Sequence, residues 1–333
     1  MRILMVGLGS VGRRHLRNLR QLGVTAIDAY RTRPAEGLDG EPVTVYSDLD
    51  AALANHPTAI VIANPTSLHL PVALRAAVAG CHLFIEKPLS HSLDGLDELV
   101  AVVRERNLVA LPGYTLRFHP GLLEARQLLS SGRIGRLLSI RAEVGQYLPD
   151  WRPGEDYRRG YSARRNLGGG ALLDLCHELD YVMWLAGPVT RVGCVAEHVS
   201  DLEIETEDVA EVILRFASGA VGAVHLDYLE RSGHRSCRLI GSGGTIVVEL
   251  LAGEVRCFDV STGTWDTRRY GAFARNDMFL AEMEHFLACV QGRETPRITL
   301  DEGVRVQRLI AAANHSAREG RFVDHPLDAM MLT

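Results

Sequence analysis

Arg2-Ile-Leu-Met-Val-Gly7-Leu-Gly9-Ser-Val-Gly12 opens the chain and runs into Arg13-Arg14-His15-Leu16. Four apolar residues, 3–6, read as a buried strand, and three glycines at G-x-G-x-x-G spacing turn it into a helix. Gly7 permits the tight turn. Gly9 carries no Cβ, so a pyrophosphate can approach the backbone. Gly12 lets helix and strand pack closely, with phosphate held at the helix N-terminus. The pattern follows a strand-like run and precedes a helix-like one, the context that separates a dinucleotide site from an ordinary Gly-rich turn. Gly7, Gly9, Ser10, Val11 and Gly12 are therefore the first expected cofactor contacts.

Outward from this stretch, residues 1 to about 112 alternate strand signals (3–6, 25–30, 59–63, 83–85 and 109–111) with helix signals (11–22, 49–55, 70–79 and 93–106). Short apolar strands between amphipathic helices imply a parallel doubly wound sheet covered on both faces, an α/β Rossmann domain. After about residue 120 the texture changes. Runs 137–147, 191–199, 209–216, 220–228, 237–240 and 245–250 read as antiparallel strands, separated by turn signals such as Ser218-Gly219 and Gly241-Ser242-Gly243-Gly244. One helix, 171–186, interrupts them and two follow, 277–291 and 301–318. The expected second domain is thus α+β on a large, open, mainly antiparallel sheet. The expected division is 1–118 and 119–333, with helix 301–318 packing back on the first domain.

Composition bounds the function. At 333 residues and 47% hydrophobic content, two domains with sizeable cores are expected. A net charge of -5 with scattered arginines offers no footprint for nucleic acid. The six cysteines lie far apart with no C-x-x-C pair, which fits a reduced, cytoplasmic protein. The N-terminal apolar run is too short for a signal peptide, and no stretch approaches membrane-spanning length. No metal is called for.

An NAD site usually places an acid at the end of the second strand, about 20 residues past the glycines. Here that place reads Ala29-Tyr30-Arg31-Thr32-Arg33, and Asp28 falls too early, inside the strand. A guanidinium suits a 2′-phosphate, because it is bidentate and permanently charged. Arg31, Thr32 and Arg33 thus point to NADP over NAD, against a bland reading as loop charges. Asn64-Pro65-Thr66-Ser67-Leu68-His69 follows the next strand, at the carboxyl edge where ligands bind. Asn64, Pro65, Thr66 and His69 are expected at the cofactor, and Thr66 is also a candidate helix cap. Phe84-Ile85-Glu86-Lys87-Pro88 then places a lysine at the mouth of a buried strand. Its ammonium can polarise a substrate oxygen or stabilise a developing alkoxide, the competing view being a simple pair with Glu86. Glu86 and Lys87 complete the cofactor set.

Gly168-Gly169-Gly170 precedes a helix whose polar residues Asp174, His177, Glu178 and Tyr181 share one side, opposite Leu172, Leu175, Leu179, Val182, Met183 and Ala186. The polar side is narrow and carries no Lys or Arg. An Asp and a His one turn apart can act as a proton-transfer pair. The glycine triplet is read as room for a bulky ligand.

Together the glycine fingerprint, Glu86-Lys87-Pro88, Gly113-Tyr114-Thr115-Leu116-Arg117-Phe118-His119-Pro120 and the glycine triplet with Asp174, His177 and Asp180 resemble the glucose–fructose oxidoreductase / inositol dehydrogenase (Gfo/Idh/MocA) family of nicotinamide oxidoreductases. The resemblance implies a Rossmann domain, an open-sheet domain whose face mediates homodimers or homotetramers, Lys87 as active-site lysine and His177 as general acid/base. Two departures stand out. Asp174 lies three residues before His177 where the inositol dehydrogenase pattern has four, which leaves Asp174, Glu178 and Asp180 all in view as the supporting carboxylate. Thr115 replaces a frequent Asn. The stretch Trp151-Arg152-Pro153 to Arg164-Arg165, rich in Arg and aromatics, looks like the branch found with bacterial sugar and sialic-acid-like metabolism. Tyr114, Arg117, Trp151, Arg152, Arg164 and Tyr181 are the expected substrate contacts. The expected activity is hydride transfer between NAD(P) and a secondary alcohol or ketone on a sugar, cyclitol or derivative. The alternatives are an imine or enone reductase of the same fold and a non-catalytic dinucleotide or sugar sensor.

Overall fold

The apolar run after Met1 forms β1 (Arg2–Val6), buried from Ile3 onward, and α1 (Ser10–Gln21) follows the glycine turn. The computed structural model of the chain describes residues 1–32, 43–271 and 273–324. The alternation continues through β2 (Ala26–Tyr30), β3 (Thr44–Tyr46), α2 (Leu49–Leu53), β4 (Ala59–Ile62), α3 (His69–Val78), β5 (His82–Glu86), α4 (Leu96–Glu105) and β6 (Ala110–Gly113). These strands make one parallel six-stranded sheet in the order β3-β2-β1-β4-β5-β6. The order reverses between β1 and β4, the switch point at which a doubly wound sheet opens a crevice for ligands. Strand side chains feed two cores by turns. Leu4, Val6, Ile60, Ile62, Leu83 and Ile85 enter one, and Ile3, Met5, Ala59, Val61 and Phe84 enter the other.

The chain divides by contact at Thr115/Leu116, and Arg275–Gln307 belongs with the first unit. The second unit holds α5 (Pro120–Ser130), β7 (Leu137–Gly145), α6 (Ala171–Asp174), α7 (His177–Ala186), β8 (Val189–Glu197), β9 (Val209–Phe216), β10 (Val221–Asp227), β11 (His234–Gly241), β12 (Gly244–Glu249), β13 (Glu254–Asp259) and β14 (Thr264–Arg269). With β15 (Val323–Asp324) they form a nine-stranded sheet in the order β14-β13-β12-β11-β7-β10-β9-β8-β15. Its described pairs are antiparallel except β7 with β10. Alternate residues of β9 are buried (Ala210, Val212, Leu214, Phe216), as period-two side-chain placement requires of a sheet covered on one face. The opposite face carries exposed Val195, Ile213 and Val221 beside Arg141 and Glu211.

Two late helices, α8 (Arg275–Val290) and α9 (Leu300–Glu319), complete the chain. The sequence division assigned both to the second domain, apart from back-packing by the last. In the structure Met283, Phe286 and Leu287 of α8 join Ile3, Leu16 and Phe84 in one core, while Leu300 and Val304 of α9 join Leu4 and Ile85 in the other. The unit boundary falls inside α9, after Gln307. Further differences concern elements: β3 and β15 lie where no strand was expected. α5, starting at Pro120, was not expected. The β13–β14 hairpin lies in a stretch with no assigned strands. The expected helix 171–186 is broken at Leu175–Cys176 into α6 and α7. Among the described residues, no helix is long and apolar enough to cross a membrane.

Candidate active site

In the first unit the three glycines do distinct work. Gly7 has φ +84°, and a Cβ there would sit 2.6 Å from the Asn64 amide nitrogen. A Cβ on Gly12 would lie 2.0 Å from the Gly7 carbonyl oxygen. Gly9 is different: a Cβ would meet nothing within 4 Å, and Gly9 and Ser10 are exposed at the start of α1, where no side chain caps the helix. A helix N-terminus with free amides behind an open glycine is the cradle a pyrophosphate requires.

In the middle of β2, Asp28 is buried and accepts hydrogen bonds from Arg2 Nη1 (3.0 Å) and Asn55 Nδ2 (2.7 Å), so it is committed inside the unit. Arg31 follows, and its Nη1 is buried with no hydrogen-bond partner among the described residues. Thr32 stands beside it; Arg33 lies outside the described residues. After β4, Asn64 and Pro65 are half-buried, and Asn64 Oδ1 is another buried atom with no described partner. Thr66 is buried, and no side chain caps the helical turns after it, which removes the capping role.

Two expected cofactor contacts are interior supports instead. His69 is 2% exposed; its Nδ1 lies 2.8 Å from the Pro88 carbonyl oxygen and its Nε2 2.8 Å from that of Asn64. Burial pushes its pKa down against the pull of both carbonyls. The ring ties the loop after β4 to the loop after β5 and has no nitrogen left for a ligand. Glu86 is buried, with Oε1 2.6 Å from His15 Nε2 and Oε2 accepting from the Lys87 backbone N–H at 3.2 Å. Burial opposes its ionisation, but the hydrogen bond and charge of His15, then Lys87 and His69, outweigh it and hold the carboxyl below its ordinary range. Lys87 itself is half-buried at the carboxyl end of β5, and its peptide bond to Pro88 is cis. It is also the single lysine among the chain's 36 Lys and Arg residues. The rest of those 36 are guanidinium groups, which do not give up their proton; this one carries an amine that can.

In the second unit Asp174 is buried under three hydroxyls. Tyr161 Oη donates to Oδ1 (2.7 Å), Ser162 Oγ to Oδ2 (2.6 Å) and Tyr228 Oη to Oδ2 (3.4 Å). His177 opens α7 three residues later, half-buried. The other two carboxylates are spoken for. Glu178 is fully buried and held bidentately by Arg235 (2.7 and 2.8 Å), and Asp180, also fully buried, by Arg117 (2.6 and 3.0 Å). Of the three candidates, Asp174 alone is engaged by hydroxyls and not by a guanidinium in these contacts.

Three expected substrate contacts lie in the interior as well, one of them in these pairs. Arg117 is 5% exposed and locked on Asp180; Tyr181 is fully buried with its hydroxyl toward the Ser236 carbonyl; Tyr114 is fully buried in the first unit. All three are interior groups. Trp151 and Arg152 remain half-buried and Arg164 exposed. The Trp151 ring stands edge-on to Tyr228 at 5.2 Å, and the Arg152 guanidinium lies 5.7 Å above the Tyr161 ring, so two Asp174 partners are backed by this loop. A pocket lined by Leu148, Trp151, Arg152, Tyr157 and Ser162 opens beside them. The glycine triplet gives a ligand no room. A Cβ on Gly169 would come within 2.4 Å of the Tyr161 and Ser162 carbonyl oxygens, and one on Gly170 within 2.3 Å of Glu207 Oε1. Its small size lets 161–162 lie against α6 and reach Asp174. Tyr161, Ser162, Tyr228 and His15 are the residues the sequence reading missed. Tyr161 sat inside the aromatic stretch and His15 inside the opening motif; neither partner is near in sequence.

Residues 1–114 match the family description "Oxidoreductase family, NAD-binding Rossmann fold", and 122–247 match "GFO/IDH/MocA C-terminal domain". The chain belongs to the Gfo/Idh/MocA oxidoreductase family. Among its members, myo-inositol 2-dehydrogenase of Thermotoga maritima is 26% identical over 97% of this chain and 98% of its own. The scyllo-inositol 2-dehydrogenase (NAD(+)) of Bacillus subtilis is 26% identical over 96% and 95%. A levoglucosan dehydrogenase solved in complex with NADH superposes with a TM-score of 0.88 at 21% identity, covering 98% of this chain and all of the other. The last is a likeness of fold.

Proposed function

We propose that this family member transfers hydride between a nicotinamide dinucleotide and a secondary alcohol or ketone on a sugar, cyclitol or derivative. The observation that carries the reading is Lys87, the chain's one lysine, pinned at the carboxyl end of β5 in the same parallel sheet whose β1 ends in the open glycine turn. The nicotinamide supplies the hydride acceptor or donor when bound. Gly9, Ser10 and Val11 receive the pyrophosphate, with Asn64 and Pro65 at the neighbouring strand end. In oxidation the substrate hydroxyl gives its proton to His177, while the Lys87 ammonium stabilises charge on the oxygen as the C–H electrons leave. In reduction the same groups return the proton. Asp174 orients His177, and Trp151, Arg152 and Arg164 meet the substrate.

NADP is the favoured cofactor, because Arg31 has a buried donor awaiting an acceptor and no acid stands at Ala29-Tyr30-Arg31-Thr32. The proposed protein is a cytoplasmic homodimer or homotetramer, assembled through the open sheet face that exposes Val195, Ile213 and Val221. The test is a screen of NADP⁺ and NAD⁺ reduction against sugars, inositols and sugar nucleotides. Lys87→Ala and His177→Ala should each lower turnover roughly 10²–10⁴-fold with cofactor binding kept. Arg31→Ala should weaken NADP binding about 10–100-fold and leave NAD unchanged. Near-normal turnover in either of the first two variants removes that residue from the mechanism.

A further inference from the structure

We propose that His15 is a positioning residue for Lys87, acting through the buried Glu86 carboxylate. The inference rests on the reading of Lys87 as the group at the substrate oxygen. His15 is completely buried in α1, three residues past Gly12, with its ring edge-on to Phe84 (5.0 Å) and Phe279 (5.9 Å). Such a pocket suits a phenylalanine, and an imidazole there costs desolvation unless a polar contact compensates. The compensation is the 2.6 Å contact to Glu86 Oε1; Nδ1 has no hydrogen-bond partner among the described residues. An ionised carboxylate only accepts, so Nε2 carries the proton and donates.

Glu86 in turn cannot swing away. Its Oε2 accepts the Lys87 N–H, and Gly113 walls it in, since a Cβ there would stand 3.1 Å from that oxygen. On the far side of Lys87, the Pro88 carbonyl meets His69. Lys87 is therefore gripped at its own amide and one residue beyond. The grip on the amide side runs back through Glu86 to the helix whose N-terminus faces the cofactor. A buried imidazole–carboxylate pair is a weak stabiliser next to a packed apolar substitute of similar volume. What the pair adds is a fixed negative charge beneath the one amine. Arg14, His69 and Lys87 are the other charged or titratable groups around that carboxylate.

A chain with one lysine makes the test direct. Reductive methylation with labelled formaldehyde marks only Lys87 and the N-terminal amine, so the Lys87 titration can be read by NMR with neither substrate nor cofactor present. In His15→Phe, burial drives Glu86 to take up a proton, and Lys87 loses its neighbouring charge. Its titration should move down by about one unit, and turnover of the unlabelled enzyme should fall by about 10²-fold. His15→Gln keeps a donor at the Nε2 position and should restore both. If His15→Phe does not fold, His15→Asn, too short to reach Glu86, takes its place. Lys87 titrating alike in wild type and variant, or a lost titration shift that Gln does not restore, overturns the proposal. A wild type inactive on every polyol overturns the proposed function, while the titration still decides the role of His15.

Discussion

A Cβ on Gly9, at the turn between β1 and α1, would meet nothing within 4 Å, whereas one on Gly169, just ahead of α6, would be driven within 2.4 Å of two carbonyl oxygens. Both glycines belong to clusters of three beside chemically important helices. In the first unit the missing side chain leaves space facing outward, at a helix start whose amides are free. In the second unit the chain fills the space itself, so that Tyr161 and Ser162 can reach Asp174. One cluster leaves open space and the other makes room for the protein. Glycine spacing alone does not distinguish them; what surrounds the absent Cβ does.

Gly169→Ala tests the harsher side of this contrast. The obstructing atoms are backbone, so 161–162 must move. Stability should drop by about 1–3 kcal/mol in denaturant titration, and turnover should fall roughly 10²-fold as Asp174 loses its hydroxyls. Cofactor affinity should stay put, and a variant that loses cofactor instead would place this triplet at the dinucleotide. Gly9→Ala should do the reverse. With φ at -70° the backbone tolerates alanine, so stability should change by no more than about 0.5 kcal/mol. Fluorescence titration with NADPH should show about tenfold weaker binding, or 1.4 kcal/mol; unaltered binding would mean that no phosphate approaches this turn. Tyr161→Phe removes one of three hydroxyls from the Asp174 carboxylate and should cost about 3–10-fold in kcat, the net worth of one hydrogen bond with the other two kept, with KM for cofactor unchanged.

The smallest effects separate the inside of the second unit from its open face. Burial pushes the His119 pKa down to about 4, so the folded chain refuses a proton that the unfolded chain accepts near 6.5. Its stabilising share is complete above 6.5 and drains away as pH falls toward 4. On the sheet face, hydrogen bonds to Asp227 and then Glu211 raise the His225 pKa to about 9. That share is complete below 6.5 and is lost as pH rises through 9, and solvent screening of the half-exposed ring keeps it small. Melting temperatures of His119→Asn and His225→Asn across pH 4–10 should each flatten one limb; a change on the opposite limb would contradict the assigned environments.

Fold was legible where burial and pattern coincide. Five strands of the first sheet read as apolar runs because both faces are covered, the exposed edge strand β3 did not, and β9 read correctly because its residues alternate. The β13–β14 hairpin escaped because β14 is exposed along its whole length and so carries no apolar signal. α5 was hidden because it begins at a proline inside a stretch read as a motif. The break at Leu175–Cys176 leaves the 3.6-residue periodicity intact and is invisible to it. The opening glycines, Lys87 and Asp174 stand out from local pattern as site candidates. What each carboxylate is doing does not. Asp180 finds Arg117 63 residues away, Glu178 finds Arg235 57 away, and His15 finds Glu86 71 away. One global signal was available and went unused: separating lysine from arginine in the basic count singles out position 87.

β14 also bears on how this protein stays apart from its copies. A wide sheet ends in a strand whose outer N–H and C=O groups could template a further strand from any passing chain. Here that rim is Thr264-Trp265-Asp266-Thr267-Arg268-Arg269, with three charges in its last four residues. A neighbour docking rim to rim would have to bury those charges, so the rim discourages runaway edge-to-edge stacking.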